Sequence, residues 1–116
     1  MSGDADPHTG LAIYVGDWEL GGGTSASAPL WAAVMAIANQ MAGHALGFIN
    51  AGLYKLASSR MYAQDFHDIT QGNNSADVNG TPVPGYSATQ GWDPITGLGS
   101  PNAEKLLPDL ITALRA

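Results

Sequence analysis

Gly22-Gly23-Thr24-Ser25-Ala26-Ser27-Ala28-Pro29 is the stretch on which the fold turns. The glycines from Gly21 to Gly23 make a poor strand, but they let the backbone turn sharply or approach another group closely. Behind them the spacing predicts a helix from about Ser27 or Ala28 to Ala42. Leu30, Val34, Ile37 and Met41 recur at helical intervals, with Trp31, Met35 and Ala38 alongside. Pro29 suits a first turn, where a missing N–H is no loss, and Gly43 suits a stop. The segment carries no charged residue, which predicts burial on most sides. A helix mouth close to Ser25 sets unsatisfied N–H groups and the positive dipole end beside its hydroxyl. An oxyanion of acyl transfer would be stabilised there. The same residues also suit a plain Ser/Thr cap after a glycine turn.

Upstream, Asp4-Ala5-Asp6-Pro7-His8-Thr9-Gly10 is turn chemistry. Leu11 to Val15 reads as a strand, Gly16-Asp17 as its turn and Trp18 to Leu20 as a short return strand. Downstream, a second helix covers Asn50 to Ala57 with Asn50 as its cap. From Phe66 to Asn102 the chain is rich in Gly, Pro, Asn, Ser and Thr, and so long a loop needs something to tie it down. Ser100-Pro101 opens a C-terminal helix, with Leu106, Leu107, Leu110, Ile111 and Leu114 as its stripe. Pro108 falls inside that stripe and is expected to kink or split it.

Bulk properties bound the function. The 116 residues fit one domain but are short for a two-lobed enzyme. Charged residues are only 12%, so much of the surface is either designed to lie against more protein or is merely a Gly/Ser/Thr/Asn-rich secreted one. Net charge is -6, and the four basic residues are scattered, which argues against nucleic acid as a partner. No apolar run is long enough to span a membrane. Met1 to Pro7 lacks the basic and apolar regions of a signal peptide. With no cysteine, disulfides and thiolate metal sites are excluded.

Gly23-Thr24-Ser25-x-Ser27-x-Pro29 resembles the serine motif shared by subtilisins and sedolisins, in which the serine after Gly-Thr is the nucleophile. Asp6-Pro7-x-Thr9-Gly10 resembles sedolisins specifically. So do two later blocks, Phe66-His67-Asp68-Ile69-Thr70-x-Gly72-x-Asn74 and Gln90-Gly91-Trp92-Asp93-Pro94-x-Thr96-Gly97-Leu98-Gly99-Ser100-Pro101. The resemblance implies an α/β fold, subtilisin-like with a parallel sheet, of which residues 1–116 form the C-terminal part as a single domain. Taken alone that part would look α+β, with a serine helix at about 25–42, a calcium lobe at about 66–100 and a final helix at about 101–115.

The implied function is that of a secreted serine-carboxyl endopeptidase hydrolysing peptide bonds in acid, with Ser25 as nucleophile. A serine nucleophile needs a base and a group to orient it. Sedolisins use Glu and Asp from a segment far upstream of the serine, and no helix-spaced Glu-x-x-x-Asp pair precedes Ser25 here. His8, His44 and His67 read as structural or solvated. The chain by itself is therefore expected to be inactive, with a polypeptide substrate or the upstream part of the peptidase domain as partner. The rival expectation is a catalytically dead, calcium-stabilised binding or structural module.

The resemblance also implies one Ca2+. Asp68 and Asp93 would supply carboxylates, and Ile69, Thr89 and Gly91 backbone carbonyls, in an oxygen-only shell suited to a hard cation. The family has Gly where Thr89 stands, which puts the backbone geometry there in question. Trp31 is expected in the core and Trp92 beneath the metal loop; Trp18 and Tyr14 either pack or border a substrate groove.

Overall fold

A computed structural model describes residues 1–115 as four helices and three two-stranded sheets. The strands are β1 (Leu11–Tyr14), β2 (Trp18–Gly21), β3 (Phe66–His67), β4 (Ala76–Val78), β5 (Thr81–Val83) and β6 (Ser100–Pro101). The helices are α1 (Thr24–Ala42), α2 (Asn50–Ala57), α3 (Tyr62–Asp65) and α4 (Ala103–Arg115). The architecture is thus mixed helix and small sheet. The strand pairs β1–β2, β3–β6 and β4–β5 are all antiparallel, so among the described residues the parallel pairing expected of a subtilisin-like sheet does not occur.

The core is built by α4. Its Leu106 and Leu110 are fully buried and join Leu53 and Leu56 of α2, Phe66 of β3 and Leu98. Burying a leucine contributes about 1.5–3 kcal/mol, so this cluster is the main source of stability. Trp31 and Met35 of α1 pack against its edge, and the Trp31 Nε1–H donates to the Ser2 carbonyl at 3.0 Å. α4 runs through Pro108 without being split. It begins at Ala103 and not at Ser100-Pro101, because those two residues pair with His67 and Phe66 as strand β6. The Asn102 carbonyl then accepts the first helical N–H groups, from Lys105 and Leu106.

α1 starts at Thr24, ahead of the Ser27 or Ala28 expected from sequence. Gly23 turns the chain with φ 130°, and its carbonyl collects the N–H groups of Ala26 at 2.9 Å and Ser27 at 3.2 Å. The first turn therefore closes before Pro29, which lies in the second turn. α2 has the expected span, but Asn50 is its first helical residue and gives no side-chain cap.

Burial of α1 on most sides is not what the structure shows. Only Ala38 is fully buried, while Leu30, Ile37 and Met41 are exposed, as are Leu11, Ile13, Trp18 and Leu20 of the β1–β2 hairpin. Only α4 packs extensively on α1 among the described elements. The radius of gyration, 16.2 Å, exceeds the value of about 13 Å usual for a compact chain of this length.

Candidate functional site

Ser25 is placed by the turn that ends β2. Gly22 lies against the Asp6 carbonyl so closely that a Cβ would overlap it, and Gly23 then takes its positive φ. The 4–10 turn is thereby fixed beside the head of α1. Ser25 is the second residue of the helix and is exposed. The N–H groups of Thr24 and Ser25 head the helix, with no preceding helical carbonyl to accept them. The first turn carries no acidic residue to neutralise the dipole.

No base stands at the hydroxyl. Among the described residues, none of the three histidines and no carboxylate hydrogen-bonds Ser25. Asp6 of the 4–10 turn is engaged by its own neighbours. It accepts from the His8 N–H at 2.9 Å and the Thr9 hydroxyl at 2.8 Å, and meets His8 Nδ1 at 3.2 Å. The His8 N–H, followed by the Thr9 hydroxyl, holds the Asp6 carboxyl below its ordinary range. His44 Nδ1 meets the Ala45 carbonyl, and His67 sits in β3.

The two later motif blocks meet. Asp68 Oδ2 accepts from the Gly91 N–H at 2.8 Å, and Asp93 Oδ2 accepts from the Thr89 N–H at 3.3 Å. Both carboxylates therefore bear on the 89–91 segment from opposite blocks. Asp93 is almost fully buried. Its Oδ1 accepts the N–H groups of Ile95 and Thr96, each at 2.8 Å, and its Oδ2 also takes the Thr96 hydroxyl at 2.9 Å. These donors, the Thr96 N–H first, outweigh desolvation and hold its pKa down, so it is an anion at neutral pH. Thr89 keeps a negative φ, so a side chain where sedolisins have glycine brings no left-handed strain.

Tyr62 joins the blocks from beneath. Its hydroxyl lies 3.0 Å from Asp68 Oδ1 and 3.3 Å from the Leu98 carbonyl. Burial, then the bond to Asp68 and the charges of Asp68 and Asp93, push the phenol up to about 12. Sequence reading missed this residue, since the short helix α3 that presents it has no periodicity to betray it.

The two carboxylates are hard oxygen donors of the kind a hard cation takes, and no Lys, Arg or His side chain pairs with either among the described residues, although N–H and hydroxyl groups now occupy their oxygens. The nearest amino group is that of Met1, whose nitrogen lies against Gly97 and feels the charge of Asp93; burial lowers its pKa. No cluster of three or more His, Cys, Asp or Glu side chains that could hold a metal stands among the described residues.

Two expectations about the lobe need correcting. Trp92 does not lie beneath the loop; it is 58% exposed. The loop is also not structureless. Asn79-Gly80, both at positive φ, turn β4 into β5, and the Ala88 N–H to Gly72 and Asn74 N–H to Tyr86 bonds continue the ladder towards its base. The Asn-Gly pair was the available signal for this hairpin.

No family model matches the chain. Kumamolisin from Bacillus sp. (strain MN-32) is 45% identical over 112 residues, covering 96% of this chain and 19% of its own length. Physarolisin from Physarum polycephalum is 39% identical over 108 residues, covering 86% and 18%. Tripeptidyl-peptidase sed1 from Aspergillus fumigatus is 42% identical over 97 residues, covering 80% and 13%. These homologues are sedolisins, and the chain belongs to that serine-carboxyl peptidase family. It corresponds to the C-terminal part of their catalytic domains and spans less than a fifth of the length of each of these relatives.

Proposed function

We propose that this chain carries the nucleophile and the calcium lobe of a secreted serine-type endopeptidase that cleaves polypeptides at acidic pH. The observation that carries the reading is the exposed Ser25 hydroxyl at the head of α1, behind a glycine turn, in a chain whose relatives are peptidases. Ser25 attacks the substrate carbonyl, and the N–H groups heading α1 face the oxygen on which negative charge develops. The hydroxyl proton passes to a carboxylate base carried by the upstream part of the peptidase domain. That part covers the bare apolar face of α1 and the β1–β2 hairpin and completes the subtilisin-like α/β sheet. A carboxylate base is ionised in mild acid, in keeping with acid action.

One calcium ion is held by the carboxylates of Asp68 and Asp93 and the carbonyls of Ile69, Thr89 and Gly91. Its contribution is structural, joining the two blocks. Because no base reaches Ser25 within these residues, the chain alone is inactive and behaves as a calcium-stabilised module.

The test compares a protein joining the upstream carboxylate segment to this chain with the chain alone. Peptide hydrolysis in acid, lost on Ser25→Ala, supports the reading, and the products separate internal cutting from tripeptide release. Hydrolysis that survives Ser25→Ala refutes the nucleophile. Labelling of the isolated chain at Ser25 by a fluorophosphonate refutes its inactivity.

A further inference from the structure

Asp65 ends α3 with its side chain fully buried, and neither carboxyl oxygen has a hydrogen-bond donor. An anion so placed has lost its water and gained nothing in return. The side chain cannot easily swing out, because its backbone is fixed at both ends. The Asp65 N–H donates to the Met61 carbonyl at 3.0 Å, and its carbonyl accepts from the Asn102 N–H at 2.9 Å.

The acid brought to this junction is Asp109 of α4, to whose Oδ2 the Nε2 of Gln64, the residue before Asp65, donates at 2.9 Å where α3 packs on α4. Two carboxylates have no hydrogen between them, but one added proton lets the first donate to the second. The other charged groups nearby do not intervene. Lys55 of α2 lines the same cavity as Asp109, but its Nζ donates to the Ala113 carbonyl at 3.4 Å. Lys105 of α4 pairs with Glu104, and His67 of β3 is exposed.

We propose that Asp65 is carried protonated and donates to the Asp109 carboxylate, making the α3–α4 junction a latch that is closed in acid and loosens towards neutrality. Burial, and then the neighbouring Asp109 charge, push Asp65 up to about 6 against a smaller opposing pull from the Gln64 amide. The sign follows: stability is full below the ordinary aspartate pKa and is lost as pH rises through about 6, where folding must retain two facing anions. The loosening reaches further than one pair. Asn102, bonded to both Asp65 and Gln64 carbonyls, leads directly into α4, and Phe66 continues Asp65 into the β3–β6 pairing. The latch stands whether or not Asp68 and Asp93 hold a cation.

Thermal melts of the 116-residue chain in EGTA from pH 4 to 8 test it. The unaltered chain should lose on the order of 10 °C in Tm between pH 4 and 7, most of it by about pH 6. Asp65→Asn keeps a donor of the same shape, so it should flatten that slope and melt above the unaltered chain at pH 7. Asp109→Asn should flatten it as well. Parallel curves for all three overturn the proposal. Carbon-13 titration of the Asp65 carboxyl in the unaltered chain decides independently of any variant. A midpoint near 6 supports the shared proton, and one near 4 refutes it.

Discussion

Pro29 stands four residues after Ser25 inside α1, so the Ser25 carbonyl has no helical N–H to accept. The exposed residue proposed as nucleophile is thus also the one whose carbonyl lacks its helical partner. Replacing Pro29 by alanine supplies the missing N–H and removes the ring from the second turn. We expect Pro29→Ala to stabilise the chain by on the order of 1–2 kcal/mol, less than the full interior-proline penalty because the unfolded chain also gains freedom. Chemical denaturation measures this, and a lower midpoint would show that the proline is better accommodated than an N–H.

Calcium should raise the melting temperature and EGTA lower it. At a calcium concentration 100 times the dissociation constant the gain is about 2.7 kcal/mol. Asp93→Ala should abolish the difference between the two conditions, and identical curves for the unaltered chain would remove calcium from the account.

Tyr62→Phe keeps the ring against Phe66, 5.6 Å away between centroids, and deletes only the hydroxyl. Asp68 Oδ1 and the Leu98 carbonyl then lose a shared donor. A loss of about 1–2 kcal/mol is expected in EGTA, with a smaller loss in calcium if the ion takes over the Asp68 oxygen. A neutral substitution would show that water replaces the phenol.

Asp93 has the opposite pH signature to Asp65. Its depressed pKa contributes stability that is present above the ordinary aspartate value and is lost as pH falls through the lower folded value. Acid unfolding should therefore set in below about pH 4 and be blunted in Asp93→Asn, as followed by near-ultraviolet circular dichroism. Asp65 loses its contribution from about pH 4 to 6 and Asp93 below about pH 4, so together they place the stability maximum at about pH 4.

Leu110→Ala removes a fully buried side chain where α4 meets α2. A loss of 2–5 kcal/mol, or roughly that range, is expected from denaturant midpoints, enough to unfold a marginal chain. The exposed Leu30→Ala serves as the contrast and should cost under about 0.5 kcal/mol.

Periodicity was a reliable guide where a segment's own pattern sufficed. The β1–β2 hairpin, the span of α2 and the buried stripe Leu106, Leu107, Leu110 and Ile111 of α4 stand close to where alternation and helical spacing place them. It misled where a partner decides. Ser100-Pro101 looks like a helix opening until Phe66-His67 lies beside it, and α1 looks like an interior helix although little of this chain covers it. Motif spacing singled out Ser25, Asp68 and Asp93 as candidates, and the structure brings Asp68 and Asp93 to the same 89–91 segment. Tyr62 and Asp65 were not legible, since a four-residue helix has too few positions to show a pattern and burial of an acid leaves no mark on sequence.

The slab measures 51 × 39 × 21 Å, so it is scarcely two helices thick, and one of those helices is dry on one side only. Produced by itself, such a piece has a greasy flank waiting for any neighbour, and copies of it will cohere at concentrations where whole domains stay dispersed. Handling it will call for dilute solution or a solubilising fusion.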